Sequence, residues 1–266
     1  MTKDKIQKIL ELHKKWNLGE TGGERADLQD ADLRDANLRR AKLRDADLRD
    51  ANLQGANLRD ANLRGADLRD AKLRDADLQD ANLRDAKLQD ANLRGADLQD
   101  ADLRDANLRG ADLQDANLRD ADLRRAKLQD ADLRGANLQD DDLQGADLQG
   151  ANLRDADLRR AKLRDANLQG AVLRRADLRS ADLKGANLQD ANLQDANLDF
   201  SCWPLWCGSV GVTIDSKISK QLVYHAICNM PDSDRRDFLD DPVAYANEFR
   251  RVGEVAKIKW EVEVVR

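Results

Sequence analysis

Residues 26–45 read ADLQD ADLRD ANLRR AKLRD, which is four five-residue units in a row. The same pattern continues without interruption to Phe200 and gives 35 pentads. Leucine holds the third position in all 35, and alanine holds the first position in 34, with Asp141 as the exception. The second position is Asp 15 times and Asn 14 times, the fourth is Arg 20 times and Gln 13 times, and the fifth is mostly Asp or Gly.

Neither regular secondary structure can bury these leucines on one side. On an α-helix, with about 100° per residue, a step of five residues advances each leucine by about 140°, so the leucines would be spread around the helix. In a β-strand, side chains alternate between two faces, so an odd step places successive leucines on opposite faces. The content of Ala, Leu, Arg and Gln favours a helix by propensity, but the period excludes it.

A coil that turns after every pentad brings the leucines together. In each unit Ala and Leu are two residues apart, so both point inward along a short extended segment. The polar fourth and fifth residues then form the corner, where Gly suits a positive φ and Asp tolerates that conformation better than most residues. The repeat therefore predicts an all-β solenoid with an interior of Ala and Leu.

The pattern, as in ANLRR at residues 36–40, resembles the pentapeptide-repeat family, and the resemblance covers 175 of the 266 residues. It implies a right-handed, four-sided β-helix with four pentads per coil and the central leucines stacked inside. The 35 pentads would form about nine coils, and a spacing of about 4.8 Å between neighbouring strands gives a rod roughly 42 Å long. Representative core positions are Leu28, Leu48, Leu68, Leu88 and Leu108.

The composition excludes several other classes of protein. Charged residues make up 36% of the chain, aromatic residues make up 3%, and the net charge is −6. All nine aromatic residues lie outside residues 26–199, so a conventional mixed core is excluded there. No window approaches the 18 apolar residues of a membrane span. The charged start from Met1 to Leu10 and the odd number of cysteines, three, lead us to expect a cytoplasmic protein.

The two ends of the repeat need caps, because terminal coils expose apolar ends and unpaired strand edges. Residues 2–17 carry a helical stripe of Ile6, Ile9, Leu10, His13 and Trp16, with Lys and Glu on the other side. We predict an amphipathic helix that covers the first coil, followed by a break at Gly22-Gly23. His13 is expected to be a packing residue rather than a ligand.

The composition changes abruptly after the repeat, where residues 201–209 read SCWPLWCGS. We predict a small helical cap with helices that begin near Asp215 and Asp241, and a terminal strand over residues 258–264. This tail resembles the C-terminal caps of some bacterial pentapeptide-repeat proteins, and in related topoisomerase-protecting proteins such a module makes a dimer. The predicted domains are therefore a capping helix and Gly-rich turn over 1–25, the β-helix over 26–200, and a C-terminal cap and dimerisation module over 201–266.

The tail also contains the only candidate metal ligands that we single out. They are Cys202, Cys207, His225 and Cys228, with the last two residues three apart on one predicted helix face. We favour buried free thiols over a zinc site, because the Cys-x4-Cys spacing is loose for zinc. No nucleophile with a matching base and no Gly-rich phosphate loop occurs. We therefore predict no enzymatic activity and no cofactor.

Residues 20 apart stack on one face of a four-pentad coil, so charges can be summed by face. The faces that begin at Leu28, Leu33, Leu38 and Leu43 carry net charges of −5, 0, −3 and +2. The most basic of them has a column in its fourth position that reads Arg44, Arg64, Arg84, Arg104, Arg124, Gln144, Arg164 and Lys184. Acidic neighbours and the absence of stacking aromatic residues argue against nucleic-acid binding there.

Two functions remain open at this point. The resemblance to gyrase-protecting members suggests a DNA mimic that binds a type II topoisomerase. About 42 Å of duplex would carry roughly 25 negative charges, however, whereas the rod carries a net −7 when the inward Asp141 is added to the four faces, with 30 basic residues among its acids. We therefore favour a structural or protein-interaction solenoid in which Arg and Asp columns pair across neighbouring coils, with a homodimer through the tail and no membrane partner.

Two residues depart from the repeat. Asp141 takes an inward Ala position, where a carboxylate is costly unless it is hydrated, protonated or paired. It could mark a bend or an ion site, but we favour a tolerated defect. Val172 takes a second position, and we expect an exposed apolar side chain without a function. The near-perfect columns are also compatible with an engineered or recently amplified consensus rod between borrowed caps.

Overall fold

The computed structural model describes residues 1–199, 201, 202 and 212. The chain begins with helix α1, Lys3–Asn17. Thr2 caps this helix, because its Oγ1 accepts a hydrogen bond from the Lys5 N–H at 3.4 Å. Lys14 and Lys15 in the last turn complement the helix dipole. Among the described residues, no helix combines the length and the apolar character that a bilayer span requires.

The repeat winds into coils of 20 residues. Each second position forms a single-residue parallel β-bridge with the residue 20 positions further on, from Asp27 with Asp47 to Asp182 with Cys202. A coil therefore holds four pentads. We number the four faces by their first leucine, so that the first to fourth faces begin at Leu28, Leu33, Leu38 and Leu43.

The interior consists of the Ala and Leu columns. Every leucine from Leu28 to Leu198 is at most 1% exposed. The five representative leucines named above, Leu28, Leu48, Leu68, Leu88 and Leu108, all lie in this core on the first face. The most exposed alanines of the column are the half-buried Ala36, Ala41 at 8% and Ala31 at 7%, and all three belong to the first coil.

Each pentad with a described coil on both sides pairs its backbone N–H groups in a fixed way. The second position donates to the preceding coil, the third and fifth donate to the following coil, and the first donates to the leucine carbonyl three residues earlier. In the pentad at residues 46–50 these four bonds measure 2.9, 2.7, 3.0 and 3.0 Å, respectively. Only the fourth N–H has no backbone acceptor in this scheme, and in the 29 pentads with Asp or Asn in the second position it bonds a side chain described below.

The fifth position turns the corner with a left-handed backbone. All 34 fifth positions from residue 30 to residue 195 have a φ between 54° and 72°. Asp occupies most of them, because it tolerates this region better than most residues. Four are arginines, namely Arg40, Arg125, Arg160 and Arg175, for which the left-handed backbone is unfavourable.

The repeat continues two residues past the predicted boundary at residue 200. Ser201 occupies a first position, and its N–H bonds the Leu198 carbonyl at 3.0 Å as an alanine would. The Ser201 hydroxyl donates to the same carbonyl at 2.7 Å. Cys202 occupies the second position and bonds Ala181 and Leu183 through its backbone, at 2.9 Å each. Backbone pairing does not depend on the side chain at that position, so the change in composition does not end the ladder.

Candidate interaction surface

The polar second position stabilises each corner from within its own pentad. Wherever this position is Asp or Asn, which is 29 pentads, its Oδ1 accepts a hydrogen bond from the N–H two residues later. This is the fourth-position N–H that lacks a backbone acceptor. The preference for Asp and Asn therefore has a local cause, an Asx turn at the corner.

The same Asp also holds the arginine that follows it. All eight pentads with Asp in the second position and Arg in the fourth form a two-pronged ion pair, with Nη2 to Oδ2 distances of 2.5–2.7 Å. Sequence reasoning expected pairs across coils and missed this contact, although the Asp-Leu-Arg spacing was its signal. In one such pair the Arg104 guanidinium lowers the pKa of Asp102.

Of the 26 ion pairs found within the described part of the chain, thirteen join neighbouring coils, as the columns predicted. The four fifth-position arginines all belong to this group. Each of them pairs with a fifth-position Asp exactly one coil away, in the pairs Arg40–Asp60, Arg125–Asp105, Arg160–Asp140 and Arg175–Asp155. Most of the basic side chains on the rod surface are therefore paired with aspartates of the rod itself.

The arginines in the basic column of the fourth face are all paired with aspartates, either in the same pentad or in a neighbouring coil. Arg44, Arg64, Arg84, Arg104, Arg124 and Arg164 all lie within 4.0 Å of an aspartate oxygen. Lys184 is the one basic member of the column without such a pair among the described residues. Arginines already held by carboxylates are poorly placed to bind phosphates, which argues against a nucleic-acid stripe.

A shallow groove of about 660 Å³ follows one corner of the first face. It is lined by Gln129, Gln149 and Gln169 and by Gly150 and Gly170. Arg109 and Asp190 lie near its ends. None of these residues takes part in an ion pair with another described residue, so this corner differs from the paired columns around it.

The two departures from the repeat lie where the sequence placed them. Asp141 is fully buried in the Ala column of the fourth face. Val172 lies in a second position and bridges Asn152 and Asn192. It is half-buried rather than exposed as expected, because the stacked side chains of the neighbouring coils cover part of it.

Helix α1 contacts the first coil through His13, which is fully buried. The His13 Nδ1 accepts a hydrogen bond from the Ala26 N–H at 2.9 Å, and its ring stacks on Trp16 with a centroid distance of 5.3 Å. The amino group of Met1 donates to the Asp32 carbonyl at 2.8 Å. Gly23 is required beside Trp16, because a Cβ there would overlap the Trp16 backbone.

The candidate zinc ligands are not brought together among the described residues. Cys202 is an exposed free cysteine on the last described coil. Cys207, His225 and Cys228 lie outside the described residues, as do the helices and the strand predicted for the tail. Within residues 1–199, 201, 202 and 212 no group of three or more His, Cys, Asp or Glu side chains is arranged to hold a metal ion.

Comparison with known families agrees with this architecture. The model of the family described as pentapeptide repeats matches in eight copies, over residues 26–65, 61–100, 101–140, 142–179 and 171–202. The chain belongs to the pentapeptide-repeat family. The known structures of pentapeptide repeat proteins are right-handed quadrilateral β-helices. No curated protein sequence matches the chain.

Solved pentapeptide-repeat structures resemble the chain to different degrees. HetL of the cyanobacterium Nostoc sp. strain PCC 7120, involved in heterocyst differentiation regulation, is 36% identical over 76% of this chain and 93% of its own, with a TM-score of 0.39. Full-length QnrB1, a plasmid-mediated fluoroquinolone resistance protein, is 16% identical over 76% and 96%, with a TM-score of 0.43. A protein of the Arabidopsis thaliana thylakoid lumen is 32% identical over 39% and 68%, with a TM-score of 0.21.

Proposed function

We propose that this pentapeptide-repeat protein is a non-enzymatic solenoid that serves as a structural element or as a protein-interaction surface. The observation that carries this proposal is the self-paired surface. Leucine and alanine fill the interior, and Asp, Asn and Arg in the second and fourth positions are engaged with their own corner or with the next coil. Such side chains form a rigid, patterned face, which suits the binding of another macromolecule better than the transfer of protons or groups to a small substrate.

An interaction surface can be tested face by face. Gln is the natural alternative to Arg in the fourth position, so replacing Arg44, Arg64 and Arg84 by Gln changes the charge of the fourth face and leaves the coil intact. The matched control makes the same number of replacements on the second face, at Arg74, Arg94 and Arg154. We expect a bacterial protein captured by the wild type to be lost with one of the two variants. Capture that neither variant changes, or that is no greater than on empty resin, contradicts the proposal.

We further propose a homodimer through residues 201–266. This proposal is supported by the concentration of aromatic residues in that segment and by its resemblance to other C-terminal caps. Sedimentation equilibrium of the full chain should give a mass near 60 kDa, twice the chain mass of 29.8 kDa. Replacement of Trp206 by Arg should shift the mass towards the monomer, and the same change at exposed Trp16 should not. A monomeric wild type contradicts the dimer.

The alternative is a DNA mimic that binds a type II topoisomerase, and one surface feature favours it. The corner column of the third face holds five consecutive aspartates, Asp60, Asp80, Asp100, Asp120 and Asp140. They recur once per coil, about every 4.8 Å, whereas duplex DNA carries a charge about every 1.7 Å. Arg40 and Arg160 pair with the two outer members at 3.4 and 2.5 Å. We therefore expect no inhibition of gyrase supercoiling at micromolar protein, and inhibition would favour the mimic.

A further inference from the structure

One carboxyl group lies inside the rod. Asp141 stands in the Ala column of the fourth face, between Ala121 of the preceding coil and Ala161 of the following coil, and its side chain is 0% exposed. Its neighbours along the column are methyl groups, and the adjoining interior positions are leucines. An ionised carboxylate is strongly disfavoured in such surroundings unless hydrogen bonds or cations compensate it.

The hydrogen bonds available to this carboxyl are insufficient. The Asp141 Oδ1 accepts from the Ala121 N–H at 2.9 Å, but that N–H already bonds the Leu118 carbonyl at 2.8 Å. The Asp141 Oδ2 is buried and has no hydrogen-bond partner among the described residues. A proton on Oδ2 removes the need to bury a charge, so the carboxylic acid is the form that fits the closed coil.

The charged groups around the site do not compensate an ionised Asp141. The charged groups that act on the pKa of Asp141 are carboxylates, with Asp120 on the preceding coil and Asp140 and Asp142 on either side in the chain. The cations of the adjacent coils are bound elsewhere. Arg160 pairs with Asp140 at 2.5 Å, Lys162 pairs with Asp142 at 3.8 Å, and Arg124 pairs with Asp122 at 2.6 Å and with Asp142 at 4.0 Å.

The backbone is also weakest at this corner. The Asp141 N–H bonds the Leu138 carbonyl at 3.3 Å, whereas the same bond measures 2.8–3.1 Å at the other first positions. Burial, reinforced by the neighbouring carboxylates and only partly offset by the Ala121 N–H, raises the pKa of Asp141 well above its ordinary value. Stability linked to this group is therefore present below about pH 4 and is lost as the pH rises through the raised pKa.

We propose that Asp141 makes its coil a proton-dependent joint in the rod. With the proton on Oδ2 the coil is closed. When the proton leaves to solvent, the charged side chain turns outward and the backbone bonds that connect residues 121–123 to 141–143 and 161–163 open, while the coils on both sides stay folded. This goes beyond the proposed function and does not depend on any partner.

Hydrogen exchange followed by mass spectrometry at pH 5, 6 and 7 tests the joint in the full chain. Opening exposes a carboxyl of ordinary pKa, so the opening constant of residues 121–163 should rise up to tenfold per pH unit until the raised pKa is reached. Protection relative to the intrinsic exchange rate should fall by that factor in this segment alone. Protection that does not change with pH, or that falls equally in all coils, overturns the proposal.

Three variants make the test specific. Asp141→Asn keeps the shape without the charge and should abolish the pH dependence, whereas Asp142→Asn, an outward neighbour, should retain it. In the double variant Ala101→Asp with Asp141→Ala, the pH-dependent segment should move two coils towards the N-terminus, to residues 81–123. If protection in Asp141→Asn still depends on pH, the joint is not due to this carboxyl. The same conclusion follows if circular dichroism shows that the double variant is folded and its pH-dependent protection still lies at residues 121–163.

Discussion

Two buried polar side chains, His13 at the start of the rod and Asp141 in its middle, accept the same kind of hydrogen bond. Each is fully buried, each accepts from the N–H of a first-position alanine at 2.9 Å, and each keeps its second polar atom unpartnered among the described residues. His13 accepts from the N–H of Ala26, the first residue of the repeat, which has no preceding repeat leucine to supply a carbonyl. Asp141 accepts from the N–H of Ala121, which already donates to the Leu118 carbonyl. A polar group inside the rod is therefore useful only where the ladder lacks a partner.

The two groups also respond to pH in opposite directions. Burial lowers the pKa of His13, opposed by the nearby Arg44 backbone. A lowered pKa means that its stabilising effect is present above about pH 6.5 and is lost as the pH falls through the folded-state pKa. The pKa of Asp141 is raised instead, so stability linked to Asp141 is lost in the middle of the rod as the pH rises, whereas stability linked to His13 is lost at the helix end as the pH falls.

Replacement of His13 by Ala should have the largest effect. It removes a buried ring and leaves the Ala26 N–H without its acceptor, for a combined loss of about 3 kcal/mol. Because a solenoid is stabilised coil by coil, the loss should appear as early exchange and early urea unfolding of residues 3–45. Lys14→Ala, an exposed change on the same helix, should cost less than about 0.5 kcal/mol. Equal unfolding midpoints for the two variants would show that His13 does not hold the helix to the first coil.

Replacement of Asp141 by Ala restores the repeat and should raise stability by about 2 kcal/mol at pH 7, because it removes an incompletely bonded carboxyl from the interior. The gain should shrink as the pH falls towards 4, because the folded carboxyl is protonated first, and it is smallest below about pH 4, where the unfolded chain also binds the proton. Thermal and urea unfolding at the two pH values measure it. A wild type that melts at the same temperature as the variant or higher contradicts the prediction.

Acidification from pH 7.5 to pH 5.5 should destabilise helix α1 by up to about 1.4 kcal/mol, which is the limit for one pH unit below the ordinary histidine pKa. Tryptophan fluorescence is unsuitable because the tail contains three of the four tryptophans, so the measurement is the exchange of the amides of residues 6–17. His13→Gln should lower the protection at both pH values and remove its dependence on pH. If protection in His13→Gln follows the same pH curve as the wild type, another group is responsible.

The sequence predicted the interior because Leu and Ala recur at a fixed period, and a period determines which residues share a side. Helix α1, Lys3–Asn17, lies within the stretch 2–17 where the sequence predicts a helix, and Asp141 lies in the Ala column. It did not predict that Asp102 would hold Arg104 within one pentad, because that depends on how the corner orients the two side chains. Nor did it predict that His13 would accept from Ala26, since a helical stripe shows which residues face the coil and not which atoms meet.

The rule that a polar group helps where the ladder lacks a partner can be tested at Val172. Valine offers no acceptor to the Arg174 N–H, whereas Asn152 and Asn192, one coil away on either side, each bond the N–H two residues later at 3.3 and 3.1 Å. Val172→Asn should therefore add a corner hydrogen bond worth about 1 kcal/mol. The reciprocal change Asn152→Val is the matched control and should cost a similar amount. Urea midpoints that shift in the same direction for both variants would indicate that side-chain packing, rather than the missing acceptor, decides stability at this corner.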